Sequence, residues 1–125
     1  MAHLIGILVD VKRDVIEPVA IEDKIEHYYR ILNCDCIDIT MRTIGGRAFD
    51  IVCDDEGLLK PNPMVSAFNE AGEPMLVGNL FLCHHEGENL TSVTEDDIKH
   101  VLKHIGIAMR GDEVYRCLGD VDYYY

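Results

Sequence analysis

The sequence is poor in positive charge. Of its 125 residues, 11 are Lys or Arg against 23 Asp or Glu, a formal net charge of -12. A chain this negative repels phosphate backbones and anionic headgroups, which excludes nucleic-acid binding through a general basic surface. Long apolar runs are also missing. No stretch approaches the roughly 20 residues that span a bilayer, and residues 1–11 lack the basic flank and small-residue cleavage site of a signal peptide. A cytoplasmic protein without a membrane partner is the expectation. The cysteines Cys34, Cys36, Cys53, Cys83 and Cys117 are odd in number and lack CxxC spacing, which argues against a disulfide framework or a zinc ribbon and for reduced, mostly buried thiols. Also missing are a GxSxG elbow, a papain-like cysteine segment, an HExxH helix, internal repeats and any linker long enough to divide domains.

What is present suits a globular chain: 48% apolar and 27% charged residues in 14.1 kDa, the material of one core. Leu4–Val11 is β-branched and almost continuously apolar, the pattern of a central strand covered on both faces. Val15–Ile21 resembles it, but Pro18 cannot donate to a ladder, so this strand belongs at an edge or a bulge. Ile21, Ile25, Tyr28 and Leu32 then mark one face of a helix over Glu22–Leu32. Asp35–Thr43 and Arg47–Cys53 flank Gly45-Gly46 as a hairpin. Met75–His84 is one more strand, with Gly78 as a bulge. Thr94 caps a second helix, Glu95, Asp96 and Asp97 fill its first turn, and Gly106 closes it. Glu113–Leu118 is a short strand, and from about 119 a Tyr-rich tail is expected to be mobile unless a partner or second subunit covers it. The expected fold class is α+β: residues 1–125 as a single domain, with a mainly antiparallel sheet of about five strands and two packed helices.

Arg42 and Arg47 frame a glycine turn, an arrangement that suits an anion. Guanidinium forks grip phosphate or carboxylate, and the Gly45-Gly46 pair lets a ligand approach backbone N–H groups. Arg110 and Arg116 are further contributors, from the C-terminal stretch or from a second subunit. His100 and His104, four apart on the second helix, are the candidates for a metal, but no third ligand stands beside them in the sequence. The reading therefore takes no metal, no cofactor and no catalytic residue. Between Ala48 and Ile98 lie eleven acidic residues and one basic residue, Lys60, a region that either keeps the protein soluble or imitates DNA phosphates. Cys34-Asp35-Cys36 reads as a buried pair sooner than a redox couple, having no cationic or helical neighbourhood in sequence.

One tract carries a family likeness. Ile51-Val52-Cys53-Asp54-Asp55-Glu56-Gly57-Leu58-Leu59 is followed by Pro61-Asn62, by Gly78-Asn79-Leu80-Phe81-Leu82, and by Ser92-Val93-Thr94-Glu95-Asp96-Asp97-Ile98. These residues, within positions 35–104, resemble a family of small domains of unknown function carried by phages, prophages and bacterial mobile elements. The resemblance implies a mobile-element origin, a bacterial host cytoplasm, an α+β fold and a polar loop residue at Asn62, with Asn79 a weaker counterpart. Where family members often continue Asn-Arg, this chain has Asn62-Pro63.

Three functions of different class follow. The first is a non-enzymatic counter-defence protein that sequesters a small anionic ligand, plausibly a nucleotide immune signal of the host. Arg42 and Arg47 would grip phosphate and Asn62 would read a base or ribose, in a homo-oligomer. The second is an acidic interaction module, a DNA mimic or an inhibitor of a basic host defence protein. The third is a metal enzyme built on His100 and His104.

Overall fold

The computed structural model describes residues 3–125. It corrects the expected architecture. The described residues are mostly β, 53% strand and 15% helix, with eleven strands in two sheets and two helices in place of a five-stranded α+β arrangement. The strands are β1 His3–Asp10, β2 Val15–Glu22, β3 Ile37–Ile44, β4 Arg47–Asp54, β5 Val65–Phe68, β6 Pro74–Val77, β7 Leu80–Glu86, β8 Asn89–Thr91, β9 Ile105–Arg110, β10 Glu113–Leu118 and β11 Val121–Tyr123. The helices are α1 Ile25–Leu32 and α2 Glu95–Leu102, and a 3-10 turn spans Gly57–Leu59.

The larger sheet has seven strands in the order β11-β3-β4-β7-β1-β2, with β8 paired to β7; the smaller has the order β6-β5-β10-β9. All ladders are antiparallel except β5 with β10, which meet in parallel at Ala67 and Leu118. β1, β4 and β7 are interior strands, and their alternating side chains are buried on both faces. On one face Ile7, Val9, Phe49, Ile51, Leu80 and Leu82 join Ala67, Ala108, Tyr115 and Cys117 of the smaller sheet and Val101 of α2. On the other, Leu4, Val52, Phe81 and Cys83 pack under Tyr28 and Leu32 of α1.

Local chemistry sets most boundaries. Gly45 and Gly46 both take positive φ, as the two-residue turn between β3 and β4 requires. Thr94 and Asp97 form a reciprocal capping box: the Asp97 N–H donates to Thr94 Oγ1 at 3.1 Å and the Thr94 N–H to Asp97 Oδ2 at 2.8 Å. Pro18 lies in β2, at the sheet edge as expected.

Three local readings are corrected by tertiary pairing. Helix α1 starts at Ile25, because Ile21 and Glu22 remain paired to Leu4 and His3 in the β1–β2 ladder. The run Met75–His84 is two strands in two sheets, divided at Gly78, which takes φ 76° while its N–H donates to the Met64 carbonyl at 2.8 Å. Helix α2 ends at Lys103 in right-handed geometry, and Gly106 lies within β9 opposite Cys117. The segment after 119 carries β11, which pairs with β3 so that Tyr123 stands opposite Arg42.

Gly6 is the tightest point of the central sheet. A Cβ there would fall on the Phe81 ring and 2.6 Å from the Leu82 carbonyl oxygen. Phe81 is fully buried and meets Tyr28 edge-on, with ring centroids 5.8 Å apart. Gly6→Ala is therefore expected to destabilise the fold by about 1–3 kcal/mol through overpacking. The added variant Phe81→Leu should recover part of that loss in urea denaturation, and an unchanged Gly6→Ala midpoint would remove this packing account.

Candidate functional site

The Gly57–Leu59 turn and the loop after it form a ridge with a cleft on each side, and Asp54 and Gly57 line both clefts. The first, about 100 Å³, collects residues from separate tracts: Lys12, Asn33, Lys60, Asn62, Gly78 and Asn79. Asn79 fixes its floor, accepting from the Val11 N–H at 3.1 Å and donating to the Ile31 carbonyl at 3.2 Å. Lys60 ties its wall to Asp54 at 2.6 Å and to the Asn33 carbonyl at 3.1 Å. Asn62 takes a left-handed φ of 52°, and its carbonyl accepts from Arg110 Nη1 at 2.7 Å.

The second cleft, about 320 Å³, has Leu58, Leu59, Met75 and Val77 as apolar walls and Arg42, Asp54 and Asp55 as charged ones. Arg42 leaves β3 beside buried Phe49, its register partner. Its Nε donates to Thr40 Oγ1 at 3.3 Å, and its guanidinium carbon lies 4.7 Å from the centroid of the Tyr123 ring. Nη1 is buried and has no hydrogen-bond partner among the described residues. An unpaired buried donor costs about 1–3 kcal/mol. Of the six arginines, four have carboxylate partners within 4.0 Å; Arg30 and Arg42 do not, and Arg30 is exposed.

The other residues singled out in the sequence are engaged elsewhere. Arg47 Nη1 contacts Asp96 and Asp97, each at 3.1 Å, at the start of α2. The Gly45 N–H donates to the Asp120 carbonyl at 2.9 Å, and the His104 imidazole occupies the space of a Cβ there. The depression beside Gly45 and Gly46 is lined by Glu70, Asp120 and Asp122, a negative wall. Arg116 binds Asp14 through its backbone N–H at 2.6 Å and through Nε at 3.4 Å. Asn62 and Arg110 thus meet at the first cleft, Arg42 lines the second, and Arg47 and Arg116 are each held by their own acids.

The histidines form ion-pair-like contacts that spacing did not reveal. His84 and His85, on opposite faces of β7, reach Asp97 at 2.9 Å and Asp50 at 2.7 Å. His104 Nδ1 reaches Asp120 at 2.7 Å, and His100 Nε2 donates to the Ile44 carbonyl at 2.6 Å. Although the rings of His100 and His104 lie 4.9 Å apart, no three His, Cys, Asp or Glu among the described residues are grouped as metal ligands. The thiols are held protonated: burial pushes Cys53 and Cys117 up to about 11 and Cys83 up to about 12. Cys36 rises to about 11 through its hydrogen bond with Glu56, and burial raises Cys34 as well. Neither Cys34 nor Cys36 lies in a strand and both are only half-buried, so the expected buried pair does not form.

Asp97 links α2 to the large sheet. Burial by itself would raise its carboxyl, but hydrogen bonds from the Thr94 backbone, His84 and the Thr94 hydroxyl outweigh burial and hold it below the ordinary 3.8. Its contribution is therefore complete above 3.8 and lost as pH falls through the lower folded-state value. Asp97→Asn is expected to cost about 1 kcal/mol near neutral pH. The gap between variant and wild type should close in acid, as followed by urea titrations across pH, and a constant gap would refute the carboxylate's role.

No helix among the described residues is long and apolar enough to cross a membrane. The chain has no match among curated proteins and none among solved structures. A family model does match residues 4–106, from β1 to Gly106 in β9, and so takes in both clefts' ridge, the capping box and the Arg42 hairpin. By that match the chain belongs to the family described as Domain of unknown function (DUF3846).

Proposed function

We propose that this protein binds a small anionic ligand at the Arg42 cleft and holds it without chemical change. The observation that carries this reading is Arg42, which lines a mostly apolar cleft and whose buried Nη1 has no hydrogen-bond partner among the described residues. A guanidinium stacked on Tyr123 offers a fixed fork for phosphate or carboxylate, and the leucine and methionine walls suit a planar organic body. A nucleotide has both parts. Asn62, across the ridge, is a polar contact for a ligand long enough to reach the first cleft. The likeness to phage, prophage and mobile-element domains supports the narrower reading, in which the ligand is a nucleotide immune signal of a bacterial host and the protein acts in its cytoplasm.

Within this reading the Arg42 and Arg47 roles separate. Arg42 grips the anion. Arg47 serves the structure through Asp96 and Asp97, and the acids around Gly45 and Gly46 keep anions away from that turn.

A second reading has its own support. Glu70, Asp120 and Asp122 around the depression beside Gly45 make a compact negative surface in a chain of net charge -12, which suits a basic protein partner. Salt distinguishes the two, since association with a basic partner weakens steeply with ionic strength and a part-buried ligand contact much less.

The test is calorimetric titration of the purified chain with inorganic phosphate and a panel of linear and cyclic nucleotides. A nucleotide should bind and be recovered intact by mass spectrometry. Arg42→Ala should weaken it about 10- to 100-fold, the worth of a charge-assisted hydrogen bond. Arg47→Ala should leave affinity within a few-fold. A ligand recovered cleaved, or affinity indifferent to Arg42→Ala, would overturn the proposal.

A further inference from the structure

β9 ends the smaller sheet and, among the described residues, pairs only with β10. The two-residue turn Gly111-Asp112 makes Arg110 and Glu113 the hydrogen-bonded pair that closes this hairpin. Alternation along an antiparallel ladder then turns the backbone N–H and C=O groups of Ile105, Ile107 and Met109 to the open edge. No turn, loop or side-chain hydrogen bond among the described residues engages them. Along β9 this outer face is apolar, Ile107 being 70% exposed and Met109 71%, with Val114, 57% exposed, opposite Met109 and Arg116, held by Asp14, opposite Ile107.

The other sheet edges carry features that discourage strand addition. β2 holds Pro18 with Glu17 and Glu22; β6 begins at Pro74 and meets β5 in broken register; β8 and β11 are three residues long, and β11 contains Asp122. β9 has no proline, no acid and an unbroken register. In a chain with 23 acidic residues, this edge is a path by which two copies can meet without opposing carboxylates.

We infer that β9 joins two copies of this chain across a twofold axis, as an antiparallel ladder centred on Ile107. The strand is self-complementary in that arrangement. Ile107 faces its own copy and Ile105 faces Met109 of the second copy, so the outward backbone groups pair with one another. Ile107, Met109 and Val114 of both copies then form one continuous apolar surface on the joined sheets. The inference is independent of the Arg42 cleft, which lies elsewhere on the molecule.

Sedimentation of the full chain over a range of concentration and salt tests it. The expected species has twice the 14.1 kDa chain mass. It should strengthen with added salt, because salt screens the repulsion between two chains of charge -12. Met109→Pro removes one outward N–H, and Ile107→Lys places like charges across the axis. Each should give a monomer with an unchanged far-UV circular dichroism spectrum. Should Met109→Pro fail to fold, Ile107→Lys carries the test, since it alters an exposed side chain and no ladder bond. Hydrogen exchange should show Ile105, Ile107 and Met109 amides protected only in the dimer. A wild type that stays monomeric at its solubility limit, folded variants that still dimerise, or association that weakens with salt would each overturn the inference.

Discussion

Burial of β1, β4 and β7 on both faces is the constraint on which the rest of the molecule depends. A strand with Ile7 and Val9 on one side and Leu4 and Leu8 on the other cannot leave either side in water. The smaller sheet covers one face and α1 the other, and the connections that deliver these layers must then run across the ends of the sheet. The ridge at Gly57–Leu59 is such a connection, between β4 in one sheet and β5 in the other. The clefts exist because the chain has to change layers there.

Charge divides the surface into places where an anion can settle and places where it cannot. Most arginines are neutralised by carboxylates that tertiary structure brings to them, among them Arg47 by Asp96 and Asp97 and Arg116 by Asp14. Arg42 is placed differently because its cross-strand neighbours are Phe49 and Tyr123, a hydrophobic surface and an aromatic face with no carboxylate. A cation on an aromatic ring keeps its attraction for an anion, whereas a cation paired with a carboxylate has lost most of it.

The same accounting explains which histidines matter for what. His84 and His85 serve as struts from β7 to acids on α2 and β4, and His104 holds the last loop through Asp120. Four-residue spacing on a helix suggested His100 and His104 as joint ligands. In the fold their polar atoms are directed to a backbone carbonyl and a carboxylate, and the rings brace the Gly45 turn.

The sequence by itself determined the features that depend on near neighbours. The continuous β-branched run Leu4–Val11 marked an interior strand, Gly45-Gly46 marked a hairpin, Pro18 an edge or bulge, and Thr94 with Asp97 a helix start. Each follows from φ preference, a missing N–H, or a side chain within reach of its own backbone. It also placed Arg42 and Asn62 among the polar residues of interest. Only the tertiary structure decided the number of strands and sheets, because Gly78 divides an apolar run that looks like one strand, and short strands such as β5 and β11 carry too few residues to show a period. It alone decided which arginine stays unpaired, since Tyr123 is brought to Arg42 by the register of β11 on β3 and Asp14 to Arg116 by the packing of one sheet on the other. Register is a property of how strands pair across long stretches of chain, and no local pattern of residues encodes it.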